Sequence, residues 1–255
     1  MSDVVLLVFE GEKTERLVFN NLRVNYFTEK NSIIHATFAA EIYQLWEKVR
    51  DDEFLDIVEL IRERSNKNQD DLKGISRDDV SQIFLFFDYD GHATNASDEV
   101  IEQMLRIFNN ETGNGKLYIS YPMVEALKHF TTNESFKDVV VDAKKNIAYK
   151  KLVNPVSIYQ DLRKLTVESW RHIILENYKK VHYLVNDIWD LPLYPDVSRL
   201  NQSVIFKQQL NKFISPNNQV AVLSAFPFFI IEYFGEPVFN TLDEHLLPDT
   251  ITEPA

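Results

Sequence analysis

The sequence predicts an α/β fold: a mostly parallel sheet flanked by helices, with a largely helical C-terminal region. Short apolar runs rich in Val, Ile and Phe recur in the first half of the chain, as in strands buried on both faces. Segments of helical periodicity separate these runs, and such alternation implies right-handed crossovers between parallel strands. From about residue 131 the alternation is lost. We therefore predict a core over residues 1–135 and a mostly helical extension over residues 136–255.

The first elements follow from the apolar spacing. The first strand is predicted at Val4–Phe9, and a helix over residues 14–27 packs on the sheet. A long helical pattern covers residues 38–64 and includes Phe54 among its apolar positions. Residues 65–79 are polar and are predicted to form a loop.

Two more strands are predicted downstream, at residues 83–87 and 116–120. Between them, residues 97–108 have a helical pattern that begins at Ser97, a favourable N-cap. A further helix is predicted over residues 122–130, because Pro122 suits a first helical turn.

The second half contains segments of helical or mixed pattern. The last of them, the longest apolar stretch of the chain, is interrupted by Pro227 and is too short to span a bilayer. It is predicted to be a buried helix or a strand pair. These segments are residues 158–165, 167–189, 203–213 and 220–234.

Composition excludes several classes of function. The chain has no cysteine, which rules out disulfides, thiolate catalysis and cysteine zinc sites and fits a reducing cytoplasm. The opening Met1-Ser2-Asp3 has no basic region typical of a secretory signal. We therefore expect a cytoplasmic protein without membrane association. The net charge of −12 argues against gripping nucleic acid by general electrostatics, although bound cations can reverse the local sign.

Two acidic turns directly follow the first two predicted strands. The first reads Glu10-Gly11-Glu12-Lys13-Thr14-Glu15, and the second reads Asp88-Tyr89-Asp90-Gly91-His92. Ligands of open parallel sheets bind beyond the carboxyl ends of the strands, so five carboxylates are expected in one crevice. So many like charges repel unless a cation lies among them, and carboxylate oxygens favour magnesium, manganese or calcium. The turns therefore predict a divalent-metal site.

The two turns resemble the Toprim fold of topoisomerases, primases, small recombination proteins and overcoming-lysogenization-defect nucleases. Glu10-Gly11 matches its first-strand Glu, and Asp88-Tyr89-Asp90 matches its Asp-x-Asp. Three sequence motifs are similar to those of the RloB-like and abortive-infection branch of Toprim nucleases. They are the first acidic turn, Tyr121-Pro122-Met123-Val124-Glu125 and Tyr149-Lys150-Lys151. The resemblance covers roughly residues 4–151.

This resemblance implies a nuclease that uses Mg²⁺ or Mn²⁺ to cleave phosphodiester bonds in DNA or RNA, including tRNA. Two such ions activate water and relieve charge on the phosphate. The implied ligands are Glu10, Glu15, Asp88, Asp90 and Glu125. Glu10 is also a candidate general acid or base, and Lys150 or Lys151 a candidate to neutralise charge on the phosphate.

The resemblance also implies a bacterial antiphage or abortive-infection role. The chain has no Gly-x-x-x-x-Gly-Lys-Ser/Thr loop, so an ATPase partner would be a separate chain. Contacts with that ATPase, or with a second copy in a homodimer, are expected at residues 38–64 and in the helical C-terminal region.

Three alternatives stay open. The segment Phe87–Gly91 also looks like the nucleophile loop of haloacid-dehalogenase-type phosphohydrolases, with Asp88 as nucleophile and Asp90 as acid. That assignment leaves Glu10 unexplained, and Asp138 and Asp142 are poor substitutes for the later acids of that family. The second alternative is a non-catalytic Toprim regulatory subunit. In the third, the acidic residues only cap helices or occupy their first turns.

Overall fold

The computed structural model describes residues 4–27, 32–52 and 55–242. The chain divides into two compact units, Met1–Ile119 and Ser120–Ala255. This division lies earlier in the chain than residue 135, where the sequence analysis ends the core. Within the described ranges, no helix has both the length and the apolar character that crossing a membrane requires.

A five-stranded sheet with the order β2-β1-β3-β5-β4 organises the first unit. Strand β1 lies between β2 and β3 and is parallel to both, whereas β4 pairs with β5 in the antiparallel direction. The mostly parallel sheet with flanking helices confirms the predicted α/β class. The strands are β1 (Val4–Phe9), β2 (Ser32–Thr37), β3 (Val80–Asp88), β4 (Asn109–Asn110) and β5 (Gly115–Ser120).

Strand β1 is an interior strand of the sheet, and all 6 of its side chains are apolar. Residues 5–9 are all buried, as expected for a strand covered on both faces. The helices of this unit are α1 (Thr14–Asn25), α2 (Ile42–Val49), α3 (Ile57–Glu63), α4 (Asn66–Asp71) and α5 (Asp98–Ile107).

The prediction of one long helix over residues 38–64 is wrong. The segment forms α2 and α3, separated by residues that include Asp51 and Asp52; Phe54 lies outside the described residues. The Asp56 side chain begins α3 by accepting hydrogen bonds from the Val58 and Glu59 amides at 2.8 and 3.2 Å. Short acidic side chains favour helix ends over helix interiors, which explains the break.

For this unit one further prediction is wrong, one strand was not predicted, and one predicted helix is confirmed. Residues 65–79, predicted as a loop, contain α4, whose N-terminus is capped by Ser65, and a 3-10 turn at Arg77–Asp79. Strand β2 was not predicted. Helix α5 is confirmed, and its N-cap Ser97 Oγ accepts a hydrogen bond from the Val100 amide at 3.3 Å.

The second unit is mainly helical. Its longest helix is α7, whose Trp170 is fully buried, and its small sheet pairs β6 with β7 in the antiparallel direction. These helices are α6 (Tyr149–Val153), α7 (Val167–Asn186), α8 (Tyr194–Val197), α9 (Gln202–Gln209), α10 (Ser215–Asn217), α11 (Ala225–Phe234) and α12 (Glu236–Phe239), and the strands are β6 (Val140–Asp142) and β7 (Gln219–Ala221).

The helix predicted over residues 122–130 is wrong. The chain instead forms a 3-10 helix at Val124–Lys128, after a cis peptide bond between Tyr121 and Pro122. The apolar stretch at residues 220–234 was predicted as a helix or a strand pair, and it contributes both to β7 and to α11.

Candidate functional site

The carboxyl ends of β1 and β3 bring Glu10 and Asp88 together. The two strands are parallel neighbours, and the Glu10 amide continues their pairing by donating to the Phe86 carbonyl at 3.0 Å. The Asp88 amide then donates to Oε2 of Glu10 at 2.9 Å. The first-strand carboxylate is therefore tied to the backbone of the second acidic turn.

Asp90 joins the same cluster through a strained turn. Its φ of 45° lies in the left-handed region, which residues other than glycine rarely adopt. Its negative charge raises the pKa of Glu10, as expected for two neighbouring carboxyls. Backbone strain of this kind is concentrated at functional sites.

Burial and mutual repulsion raise the pKa values of these carboxyls. Burial raises the pKa of Glu10 well above its usual value; the charges of Asp90, Glu15 and Glu41 add to the rise, and the Asp88 amide opposes it. The pKa of Asp90 is also raised, mainly by burial, while His92 lowers it. The arrangement concentrates negative charge that a bound cation would stabilise.

Glu15 lies against the backbone of its own turn. Its Oε1 accepts a hydrogen bond from the Gly11 amide at 3.2 Å, and its side chain is buried. A Cβ at position 11 would lie 2.8 and 2.9 Å from the two carboxylate oxygens of Glu15. Glycine is therefore required at position 11 for Glu15 to occupy this place.

The anchor of the second turn was not predicted from the sequence. Tyr89 is fully buried between the two aspartates, and its hydroxyl donates to Oδ1 of Asp98 in the first turn of α5 at 2.5 Å. The Tyr43 hydroxyl donates to the Tyr89 carbonyl at 3.3 Å. Helices α2 and α5 thus fix the turn from two sides. The residue types alone gave no signal for this role.

Glu41 is a second omission. It is the N-cap of α2, and its negative charge raises the pKa of both Glu10 and Asp90. It lies four residues beyond β2, whose carboxyl end meets the same edge of the sheet as β1. Detecting β2 in the sequence would have identified Glu41 as a member of the cluster.

Glu12 and His92 of the acidic turns lie at the surface. Glu12 is exposed, in agreement with a solvated role. His92 has a 41% exposed side chain, and its Nδ1 lies 4.0 Å from Oδ1 of Asp90. His92 is therefore positioned to compensate part of the negative charge when it is protonated.

The remaining predicted site residues belong to the second unit. Glu125 is 1% exposed, and its Oε1 lies 3.0 Å from Nζ of Lys150, whose side chain is 55% exposed. Lys151 is exposed and donates its amide to the Ala148 carbonyl at 2.8 Å. The proposed metal ligand Glu125 and the proposed catalytic Lys150 thus form an ion pair with each other.

Lys128 extends this group and was not predicted. Its Nζ donates to Oδ1 of Asn154 at 2.7 Å. Burial lowers the pKa of Lys128, Glu125 raises it, and Lys150 lowers it. Glu125 is therefore accompanied by two lysines.

The donor chemistry of the first unit fits a hard divalent cation, because all the clustered groups are carboxylates. Within residues 4–27, 32–52 and 55–242, however, no three His, Asp or Glu side chains converge on a common metal position. Comparison with protein-family models, curated proteins and solved structures finds no match. Any function proposed for this chain must therefore be inferred from the chemistry and positions of its own residues.

Proposed function

We propose that this chain is a Toprim-type nuclease that cleaves phosphodiester bonds in DNA or RNA with Mg²⁺ or Mn²⁺. The observation that carries the proposal is the link between Glu10 and the Asp88 amide at the ends of two adjacent parallel strands, with Asp90 alongside. This is the order and strand context of the Toprim Glu and Asp-x-Asp.

The residues of the first unit would bind a cation with few protein ligands. Mg²⁺ usually keeps several waters and takes one or two carboxylates together with substrate phosphates, so a preassembled three-ligand cage is not required. Asp88 and Asp90 are the proposed primary ligands, with Glu10 or Glu15 as a supplement. When bound, divalent ions would activate water and stabilise the charged phosphate.

Glu10 is the proposed general acid or base. Its raised pKa means that its carboxyl exchanges a proton closer to neutral pH than an ordinary glutamate does. The Asp88 amide fixes one oxygen of this carboxyl.

The proposal assigns the second-unit residues to the substrate phosphate. Oε1 of Glu125 lies 3.0 Å from Nζ of Lys150, so a buried carboxylate positions the ammonium group. The Lys150 side chain is 55% exposed and therefore faces solvent along much of its length. In this role Lys150, with Lys151 beside it, neutralises charge on a phosphate oxygen. Glu125 remains a proposed ligand for a second ion once Lys150 turns to the substrate.

The biological part of the proposal follows from the Toprim resemblance alone. We propose an antiphage or abortive-infection effector that acts with a separate ATPase or as a homodimer. Co-purification from the native host, followed by light scattering, tests this part; a monomer without a co-purifying chain would contradict it.

The deciding experiment is Mg²⁺- and Mn²⁺-dependent cleavage of a panel of supercoiled DNA, single-stranded DNA and total tRNA. We expect Glu10→Gln and the double variant Asp88→Asn/Asp90→Asn to lose cleavage, because each removes charge without removing volume. Glu12→Gln is the matched control, since Glu12 lies in the same turn but is exposed.

Two outcomes would contradict the proposal, the first its site and the second its reaction. Equal cleavage by wild type and Glu10→Gln would exclude the proposed site. Hydrolysis of a phosphomonoester that needs Asp88 but not Glu10, without any cleavage of nucleic acid, would instead favour the phosphohydrolase alternative.

A further inference from the structure

The second unit carries a concentration of positive charge that the two proposed catalytic lysines do not account for. Residues 143–164 contain six basic residues and one acidic residue, a local net charge of +5, whereas the whole chain has a net charge of −12. Such local asymmetry attracts negatively charged partners even when the protein as a whole is acidic. The basic residues are Lys144, Lys145, Lys150, Lys151, Arg163 and Lys164.

These cations are available at the surface. All except Lys144 are exposed, and the side chains of Lys145 and Arg163 are 81% and 70% exposed. Lys145 lies 3.1 Å from Asp142, and Arg163 lies 2.8 Å from Asp161. Exposed ion pairs of this kind contribute little free energy, so a polyanion can displace the carboxylates.

Lys128 contacts the middle of this basic segment. Its Nζ bonds to Asn154 just after α6, and its carbonyl accepts a hydrogen bond from the Ser157 hydroxyl at 2.5 Å. The charges of Lys150 and of Asp161, the partner of Arg163, both act on Lys128. These contacts hold the middle of the segment against the 3-10 helix Val124–Lys128 of the second unit.

We propose that the basic segment, residues 143–164, binds the phosphate backbone of a nucleic acid. The proposal rests on the proposed nuclease function and deepens it, because it names a surface of the second unit that binds the substrate. Lysine and arginine contacts with phosphates supply affinity without sequence preference.

An anionic membrane is the main competing partner, since Leu152, Val156 and Ile158 are 43 to 48% exposed within the same segment. Membrane-surface binding depends on a continuous apolar face together with charge. Three half-exposed apolar side chains beside six basic ones fit a phosphate backbone better.

The test measures binding without cleavage. The full chain carrying Asp88→Asn is titrated in EDTA with a fluorescent single-stranded oligonucleotide and with its duplex, over a series of salt concentrations. The test variant adds Lys145→Gln/Lys164→Gln, and the charge-matched control adds Lys73→Gln/Lys207→Gln, which are also exposed.

In a plot of the logarithm of the binding constant against the logarithm of salt concentration, each lost phosphate contact lowers the slope by about 0.9 for duplex and about 0.7 for single-stranded DNA. The two substitutions of the test variant should therefore lower the slope by about 1.8 for the duplex and about 1.4 for the single strand. At about 0.1 M salt the same duplex slope corresponds to roughly 60-fold weaker binding. The control should keep the parental slope and affinity.

Three results of these titrations would overturn the proposal: no binding of either nucleic acid, an unchanged slope in the test variant, or an equal loss in the control. A parallel titration with phosphatidylserine vesicles gives a fourth. If the test variant loses vesicle binding while its nucleic-acid binding stays intact, the partner is a membrane. Failure of the nuclease proposal looks different. In that case wild type would cleave nothing with Mg²⁺, yet the parental chain would bind and the test variant would bind less.

Discussion

Lys180 offers a test of the structure that is independent of any activity. Its side chain is fully buried in α7, and its Nζ donates to the carbonyls of Phe136 and Val139, each at 2.7 Å. The same ammonium lies 4.4 Å from the centroid of the Phe136 ring. Burial disfavours the charged form, so Lys180 is expected to titrate below an exposed lysine even though the two carbonyls favour the ammonium.

Burial lowers the pKa of Lys180 from 10.5 to about 7, although Glu134, Asp138 and Glu176 oppose the change. At about 1.36 kcal/mol per pKa unit, keeping this side chain charged costs the folded state about 5 kcal/mol. Above pH 7 the unfolded chain binds more protons at this site than the folded chain, so stability rises with pH. Between about pH 7 and about pH 9 the gain is about 2 kcal/mol.

The assay is urea unfolding of the second unit at a series of pH values in that window. A Trp46→Phe background leaves Trp170 and Trp189, both in the second unit, as the fluorescent reporters. We expect the pH dependence of the unfolding free energy to flatten in Lys180→Met by about 2 kcal/mol over the window. Lys207→Met, a change at an exposed lysine, should retain the full dependence.

Loss of the two hydrogen bonds in Lys180→Met changes the level of stability but not its slope with pH. Parallel pH profiles for the parental chain and Lys180→Met would therefore refute the reasoning, whatever their separation.

Three further predictions concern the acidic turns. Because the pKa of Glu10 is raised in the folded protein, stability falls as pH rises from the usual pKa of 4.5 through the raised pKa. Glu10→Gln should therefore raise the unfolding free energy at pH 7 by about 0.5–2 kcal/mol, measured by urea unfolding in metal-free buffer. A lower unfolding free energy in this variant would contradict the predicted sign. Tyr89→Phe removes the 2.5 Å bond to Asp98 and should cost about 1.5–3 kcal/mol, visible as a lower melting temperature; an unchanged melting temperature would contradict the anchor. Gly11→Ala should displace the flexible Glu15 side chain with little effect on the melting temperature. The Mg²⁺ concentration for half-maximal cleavage should rise about tenfold. An unchanged Mg²⁺ requirement would show that Glu15 does not support the metal.

The sheet was predictable where its strands are apolar on both faces. Strand β1 has the predicted bounds, and its neighbour β3 contains the predicted second strand with additional residues at each end. Strand β2 escaped because Ser-Ile-Ile-His-Ala-Thr is short and mixes polar with apolar residues, as an edge strand does. Its omission also hid Glu41.

The helices were less predictable, because apolar periodicity does not show where a helix is interrupted. Asp56, the N-cap of α3, is a signal that would have divided the predicted long helix. For Pro122, the proline signal favoured a helix, but the chain turns through a 3-10 segment that buries Glu125.

The candidate site shows the same contrast. Residue types and strand context predicted Glu10, Asp88 and Asp90, and the first unit places all three together. The sequence could not predict that Tyr89 anchors to Asp98, because that contact depends on how α5 packs on the sheet. Side-chain partners set by packing are not encoded in local spacing.

The position of β1 between β2 and β3 has a consequence for the order in which the molecule folds. During synthesis residues 4–9 leave the ribosome before β3, one of their two pairing partners, which lies more than 70 residues later in the chain. Pairings separated this far along the chain are slow to form, and an apolar strand left open meanwhile is prone to aggregate. Chaperone dependence during synthesis is therefore expected to be concentrated on the first strand, and it should end only when the second acidic turn has left the exit tunnel.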